Sequence, residues 1–239
     1  MSNTTPVHIS VVLDRSGSMA SIADDIVGGF DTFIEQQRKE EGKARVTLVQ
    51  FDSEDPFEVL IDGEDLDQVP ALDPNRYLPR GTTPLWDAVG RMIARIDSEI
   101  VTRADAGKPI EDQLVLIVTD GFENASMEFD GPTLASLIEA RKNRSWTFVF
   151  LGSDESTFAE GARIGVSAGN TSQWDASRRP APRDAARICG TTTLQPARRG
   201  TRQRGPPMRC WCRRVRTEQR TRTRERGLLG AGEETTRPG

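Results

Sequence analysis

Histidine, tyrosine and cysteine are scarce in this chain of 239 residues: one, one and three, respectively. The cysteines, Cys189, Cys210 and Cys212, all come late. The first 188 residues therefore hold no disulfide, as expected of a cytoplasmic rather than a secreted domain. Cys210-Trp211-Cys212 has too few ligands, and no neighbouring histidine, for a zinc site. The one histidine, His8, lies six residues before the acid that ends its strand, roughly 20 Å away at strand rise. It reads as a buried structural residue, so no serine of the following loop has a base to activate it. No G-x-S-x-G elbow, G-x-G-x-x-G turn or phosphate-binding loop follows any predicted strand. Long apolar runs are missing too. The first run spans about seven residues, too short to cross a bilayer, and Met1 to Pro6 carry no Lys or Arg of a targeting signal. Apolar residues make up only 36% of the chain, low for a sequence that is core throughout.

Charge explains part of that shortfall. Residues 1–175 hold 31 acids against 15 bases, while residues 176–239 hold 5 acids against 17 bases, every one of them arginine. The second segment has no Lys, Phe or Tyr and is rich in Arg, Pro, Gly and Thr. No hydrophobic period persists in it. Two readings stand for this segment: a reading-frame shift near Ser177, or a real disordered basic tail. Either way the domain lacks an expected closing helix. A tail of this kind can hold nucleic acid through phosphates, but only Trp174 and Trp211 could stack on bases, and the acidic domain opposes the approach.

The first 175 residues alternate strand and helix signals. Val7–Leu13 reads as a central buried strand, followed by a helix over 21–41 in which the Gly28-Gly29 pair allows a close approach or a bend. Arg45–Phe51 and Phe57–Ile61 read as strands separated by too few residues for a crossover, so they pair antiparallel at an edge. A loop over 65–77 leads to a helix over 84–103, opened by Pro84, with Leu85, Val89, Met92, Ile93, Ile96 and Ile100 facing the core. Leu114–Thr119 lacks alternation and so is covered on both faces. Helix 133–144, strand 145–151, a short helix 156–164 and a last strand from Val166 complete the pattern. Trp86 and Trp146 read as core. The expected fold is a three-layer, doubly wound α/β domain whose mostly parallel sheet has one antiparallel edge strand.

The chemistry gathers at the ends of the strands. Asp14 closes the first apolar run, and Ser16 and Ser18 follow it at alternate positions. One carboxylate and two hydroxyls in a tight loop are hard oxygen donors, suited to magnesium and unsuited to zinc or copper. The same residues also suit a strand-end turn and a helix N-cap. Arg80-Gly81-Thr82-Thr83-Pro84-Leu85-Trp86-Asp87-Ala88 and Leu114-Val115-Leu116-Ile117-Val118-Thr119-Asp120-Gly121 supply two further strand-end or helix-start segments. Glu123, Asp154 and Arg15 read as solvated.

Taken together, these three segments resemble von Willebrand factor type A (VWA) domains of the stand-alone bacterial type, with their metal-ion-dependent adhesion site. The resemblance covers roughly residues 7–175 and implies a Rossmann-like fold. It further implies that Ser16, Ser18 and Thr83, with Thr82 in reserve, give oxygens to Mg²⁺ or Mn²⁺. Asp14 and Asp120 add charge, largely through water. By the same resemblance a partner protein supplies a carboxylate to the ion, and the chain is not an enzyme. Two other classes stay open: a metal-dependent enzyme on a phosphoryl or carboxyl substrate, and a nucleic-acid binder acting through the tail. An aspartyl-nucleophile phosphatase wants a second acid where Ser16 stands, and no general base is evident.

Overall fold

A computed structural model of the protein describes residues 5–152 and 155–173. Asp154, Trp174 and the whole 176–239 segment, with its cysteines and Trp211, lie outside the described residues, as does the boundary expected at 175.

Six strands form one sheet in the order β3-β2-β1-β4-β5-β6. They are β1 (Val7–Asp14), β2 (Ala44–Phe51), β3 (Glu58–Asp65), β4 (Asp112–Val118), β5 (Thr147–Gly152) and β6 (Thr171–Gln173). Only β3 runs antiparallel, on β2, at the edge; the other neighbours are parallel. The strand order is that of a doubly wound sheet, and β1 is central as expected.

Alternation along β1 sorts the two layers. Ile9, Val11 and Leu13 pack with Ile26, Phe30 and Phe33 of α1 (Ala23–Arg38) on one face. Val12 packs with Leu85, Val89, Met92 and Ile96 of α2 (Leu85–Asp105) on the other, which α3 (Gly131–Lys142) and α4 (Glu155–Arg163) also cover. Burying each of these side chains stabilises the fold by roughly 1.5–3 kcal/mol. The 65–77 loop, though aperiodic, lends Leu66, Val69, Leu72 and Tyr77 to the α1 side of the core.

Four expectations need correction. Residues 17–22 form a 3₁₀ turn before α1 begins. Gly28 serves no close approach, since a Cβ there meets nothing within 4 Å. Ile100, near the end of α2, is partly exposed instead of facing the core. The last strand starts at Thr171, not at Val166, whose side chain is drawn into the α2-side core while its backbone follows the end of α4. No described helix is long and apolar enough to cross a membrane.

Candidate metal site at the sheet switch point

The chain leaves β1 toward α1 on one face and leaves β4 toward α3 on the other. Between strands whose connections diverge this way, the loops part and leave a crevice beyond the carboxyl ends. Leu13 is level with Val118 at the end of the β1–β4 pairing, and Asp14 and Thr119 are the first residues beyond that pairing.

The β1 loop bends at once. Ser16 N donates to Asp14 Oδ1 at 2.6 Å, turning the chain back so that Ser16 Oγ and Ser18 Oγ lie 3.1 Å apart. From the β4 side, Thr119 Oγ1 donates to Asp14 Oδ2 at 2.6 Å, and Asp120 Oδ1 accepts from Ser18 Oγ at 2.7 Å. Tyr77 donates its hydroxyl to the Asp14 carbonyl at 2.7 Å. Burial raises the tyrosine's pKa, which keeps it a donor.

Residues 80–83 close the third side. Gly81, at φ +64°, takes a conformation that side chains resist; its carbonyl accepts from Gly17 N at 3.1 Å. Thr82 is exposed and exchanges hydrogen bonds with Ser53. Thr83 is buried and exchanges them with Asn124, its N donating to Asn124 Oδ1 at 2.8 Å. A Cβ built on Gly121 would lie 3.5 Å from Thr83 Oγ1, 3.6 Å from Ser18 Oγ and 4.0 Å from Asp14 Oδ2. The structure thus brings Asp14, Ser16, Ser18, Thr83 and Asp120 into one cluster. Asp14, Ser16 and Thr83 line its floor, and Ser18 and half-buried Asp120 open to solvent.

The donor set fits a small hard cation. Cis oxygens on an octahedron with arms near 2.1 Å are about 3 Å apart, and the two serine hydroxyls have that spacing. Asp14 is fully buried, and burial lifts its carboxyl to about 6 despite the hydrogen bonds from Thr119 and Ser16. Among the described residues no Lys, Arg or His forms an ion pair with it. A divalent ion at this position would reverse that penalty.

The nearest guanidinium is diverted. Arg15, expected in solvent, is 4% exposed. It points away from the crevice, giving Nε to Asp52 Oδ2 and Nη1 to Glu58 Oε2, both at 2.7 Å. Asp52 also accepts from Arg80 Nε and from the backbone of Glu54 and Asp55. Burial alone would raise its carboxyl, but these donors outweigh burial and hold it below the usual range.

Glu123 is likewise no solvated loop acid. Its carboxylate accepts from Trp86 N at the start of α2 and from the backbone of Ala125 and Ser126. In return Asp87, on the first turn of α2, accepts from the backbone of Met127, Glu128 and Phe129. Gly90 makes room for this strapping, since a Cβ there would come within 2.6 Å of the Phe129 ring. Of the residues that sequence reasoning missed, Asp52 had a signal, an acid directly after an apolar strand like Asp14. Thr119 stood inside a segment already singled out. Asn124 and Asp87 act through contacts that spacing does not reveal.

No family model and no curated protein sequence matches this chain. Solved structures do resemble it. The pilus adhesin SpaC of Lactobacillus rhamnosus GG, in its open conformation, is 15% identical with a TM-score of 0.55, over 74% of this chain and 29% of the adhesin. The manganese-loaded TRAP protein of Plasmodium vivax is 16% identical at 0.47, over 72% and 70%. A von Willebrand factor type A structure from Catenulispora acidiphila is 13% identical at 0.45, over 73% and 40%. This chain therefore spans less than half the length of the adhesin and of the Catenulispora protein. The mostly parallel six-stranded sheet, with its antiparallel edge and flanking helices, is the doubly wound fold expected from the sequence, and the likeness to the adhesin is one of fold.

Proposed function

We propose that the chain is a divalent-metal-dependent protein-interaction module and not an enzyme. Asp14, Ser16, Ser18, Thr83 and Asp120 hold Mg²⁺ or Mn²⁺, and a partner protein supplies a carboxylate. Bound there, the ion offers a coordination position to an outside oxygen. The protein's own work is to present preset oxygens and to keep Arg15 away, so that the dication is the only positive charge facing Asp14. One observation carries the reading: oxygens of Asp14, Ser18 and Thr83 converge on the position a Cβ of Gly121 would take, in the loop after β4, and Asp14 is a buried carboxylate that no described cation pairs. A binding role agrees with one similar structure, at a TM-score of 0.55, being a pilus adhesin. A non-catalytic role is supported by His8, whose ring is engaged with Thr47 and Gln113 at the far end of β1.

Calorimetric titration of the full chain with Mg²⁺ tests this directly. Saturable heat is expected from the wild type and none from Asp14→Ala. Equal heat from both proteins would end the metal reading.

A further inference from the structure

The candidate oxygens are held in two different ways. Those of β1 and β4 are tied to one another: Ser16 N donates to Asp14, Ser16 Oγ meets Ser18 Oγ, and Ser18 Oγ donates to Asp120. Thr83 comes from elsewhere, directly before Pro84 and α2. It is held through its backbone, in the reciprocal bonds with Asn124. Its place at the crevice therefore follows from where α2 begins.

Leu85, Ala88 and Val89 press that helix start onto the sheet. Apolar packing has no direction, so it sets the rotation and sliding of a helix only loosely. Hydrogen bonds from the first turn supply direction. Trp86 N donates to Glu123 and Asp87 N to Ser126 Oγ, both in the loop after β4. The Trp86 side chain reaches beyond that loop. Its Nε1 donates to Glu160 Oε1 of α4 at 2.7 Å. The Arg163 guanidinium stands 5.2 Å from the ring centroid. A Cβ built on Gly131, at the start of α3, would lie 3.4 Å from the ring. The half-buried indole is thus gripped between α3 and α4.

Glu160 is an unusual choice of acceptor. It is fully buried, and a carboxylate so placed is destabilising unless it is well paired. Among the described residues its cationic partner is Arg163, at 3.2 Å and 61% exposed, where solvent weakens the attraction. A leucine would fill this position without the desolvation. What a leucine cannot do is accept a hydrogen bond from the indole.

We propose that Glu160 is a positioning residue for the candidate metal site: through Trp86 it sets the start of α2, and with it the Thr83 oxygen. The proposal rests on the metal reading above and extends the site to a residue of α4 that stands outside the oxygen cluster.

Calorimetric Mg²⁺ titration of full-length variants, each checked for folding, tests it. Glu160→Leu and Trp86→Phe each remove one half of the indole bond and should each weaken Mg²⁺ binding about tenfold, as loss of a group that orients a metal's ligands does. The double variant should bind no more weakly than either single one, because both break the same link. Glu160→Gln keeps an oxygen for the indole and should stay within about threefold of wild type. A residue serving stability alone would lower the urea midpoint and leave Mg²⁺ affinity where it was. Unchanged affinity in Glu160→Leu or Trp86→Phe, losses that multiply in the double variant, or a Glu160→Gln protein as weak as Glu160→Leu overturn the positioning role and leave the metal site standing. If Glu160→Leu does not fold, Trp86→Phe and Glu160→Gln decide by the same figures. Absence of Mg²⁺ heat from the wild type removes both.

Discussion

The two ends of β1 bury a titratable group each, and they treat it in opposite ways. His8 sits near the start of the strand and Asp14 at its end; both are fully buried. Around His8 the polar groups answer one another. Arg45 Nη2 and Gln113 Oε1 lie 2.9 and 3.1 Å from Nδ1, and Thr47 Oγ1 lies 2.9 Å from Nε2. Arg45 itself pairs with Glu99 and Glu111, Arg103 with Glu111, and Arg95 with Glu99 and Asp62. Burial, reinforced by the Arg45 charge, lowers the histidine to about 3 and keeps it neutral. At the Asp14 end the available arginine is given to Asp52. Equal burial therefore conceals unlike states: one end is internally balanced, and the other is balanced only by something added from outside.

Breaking the balanced end should produce the largest effect. Arg45→Ala removes the guanidinium shared by Glu99 and Glu111, which keep only Arg95 and Arg103, and should cost about 3 kcal/mol in urea unfolding. A loss below about 1 kcal/mol would mean that the network is surface ornament. Next comes the added ion. At 100 times its Kd, Mg²⁺ should stabilise the wild type by about 2.7 kcal/mol. Asp14→Asn should gain nothing from the ion, yet match or exceed wild-type stability in EDTA, because a buried charge has been removed. If Asp14→Asn unfolds more easily in EDTA, the carboxylate is structural and the contrast between the ends fails.

The pH dependence of stability sharpens the His8 side. Its folded pKa lies below its unfolded value of 6.5, so the unfolded chain takes up a proton that the native state refuses. The histidine's contribution is whole above pH 6.5 and falls by about 1 kcal/mol per unit as pH drops toward 3. Native Asp14, lifted to about 6, takes up a proton between pH 6.5 and 5 and opposes that slope, so the readout is the stability difference between wild type and His8→Gln, which should shrink by about 1 kcal/mol per unit there; a constant difference would put the histidine outside the balance. The smallest stability effect belongs to Gly121→Ala. Its Cβ meets only ordinary contacts, at 3.5 Å and beyond, so stability should shift by less than about 0.5 kcal/mol. Mg²⁺ affinity should nevertheless fall at least about tenfold, because the methyl group intrudes among the donor oxygens. Retained affinity would move the ion away from this point.

The sequence made the layers readable because their causes are local. Apolar runs without alternation marked β1 and β4, a 3.6-residue stripe marked α2, and five residues between two apolar runs forced the antiparallel edge. The cluster of Asp14, Ser16, Ser18, Thr83 and Asp120 was legible as three strand-end or helix-start segments. What escaped depends on neighbours far away in sequence. Arg15 looks like any exposed loop arginine until Asp52 and Glu58 come beside it. Glu123 and Asp87 are unremarkable acids until each holds the other's backbone segment. Thr47 and Gln113 lie on different strands and gave no hint that they would enclose His8.

The bond from Thr119 to Asp14 spans 105 residues, and this separation governs how the crevice comes into being. On a ribosome adding 5–20 residues per second, Asp14 emerges roughly 5–20 s before the hydroxyl that orients it. Nascent chains ending before residue 119 can pair β1 with β2 and β2 with β3 but hold no crevice at all. Ion binding by ribosome-arrested chains of increasing length should therefore switch on in one step, once the strap over 127–129 has left the exit tunnel.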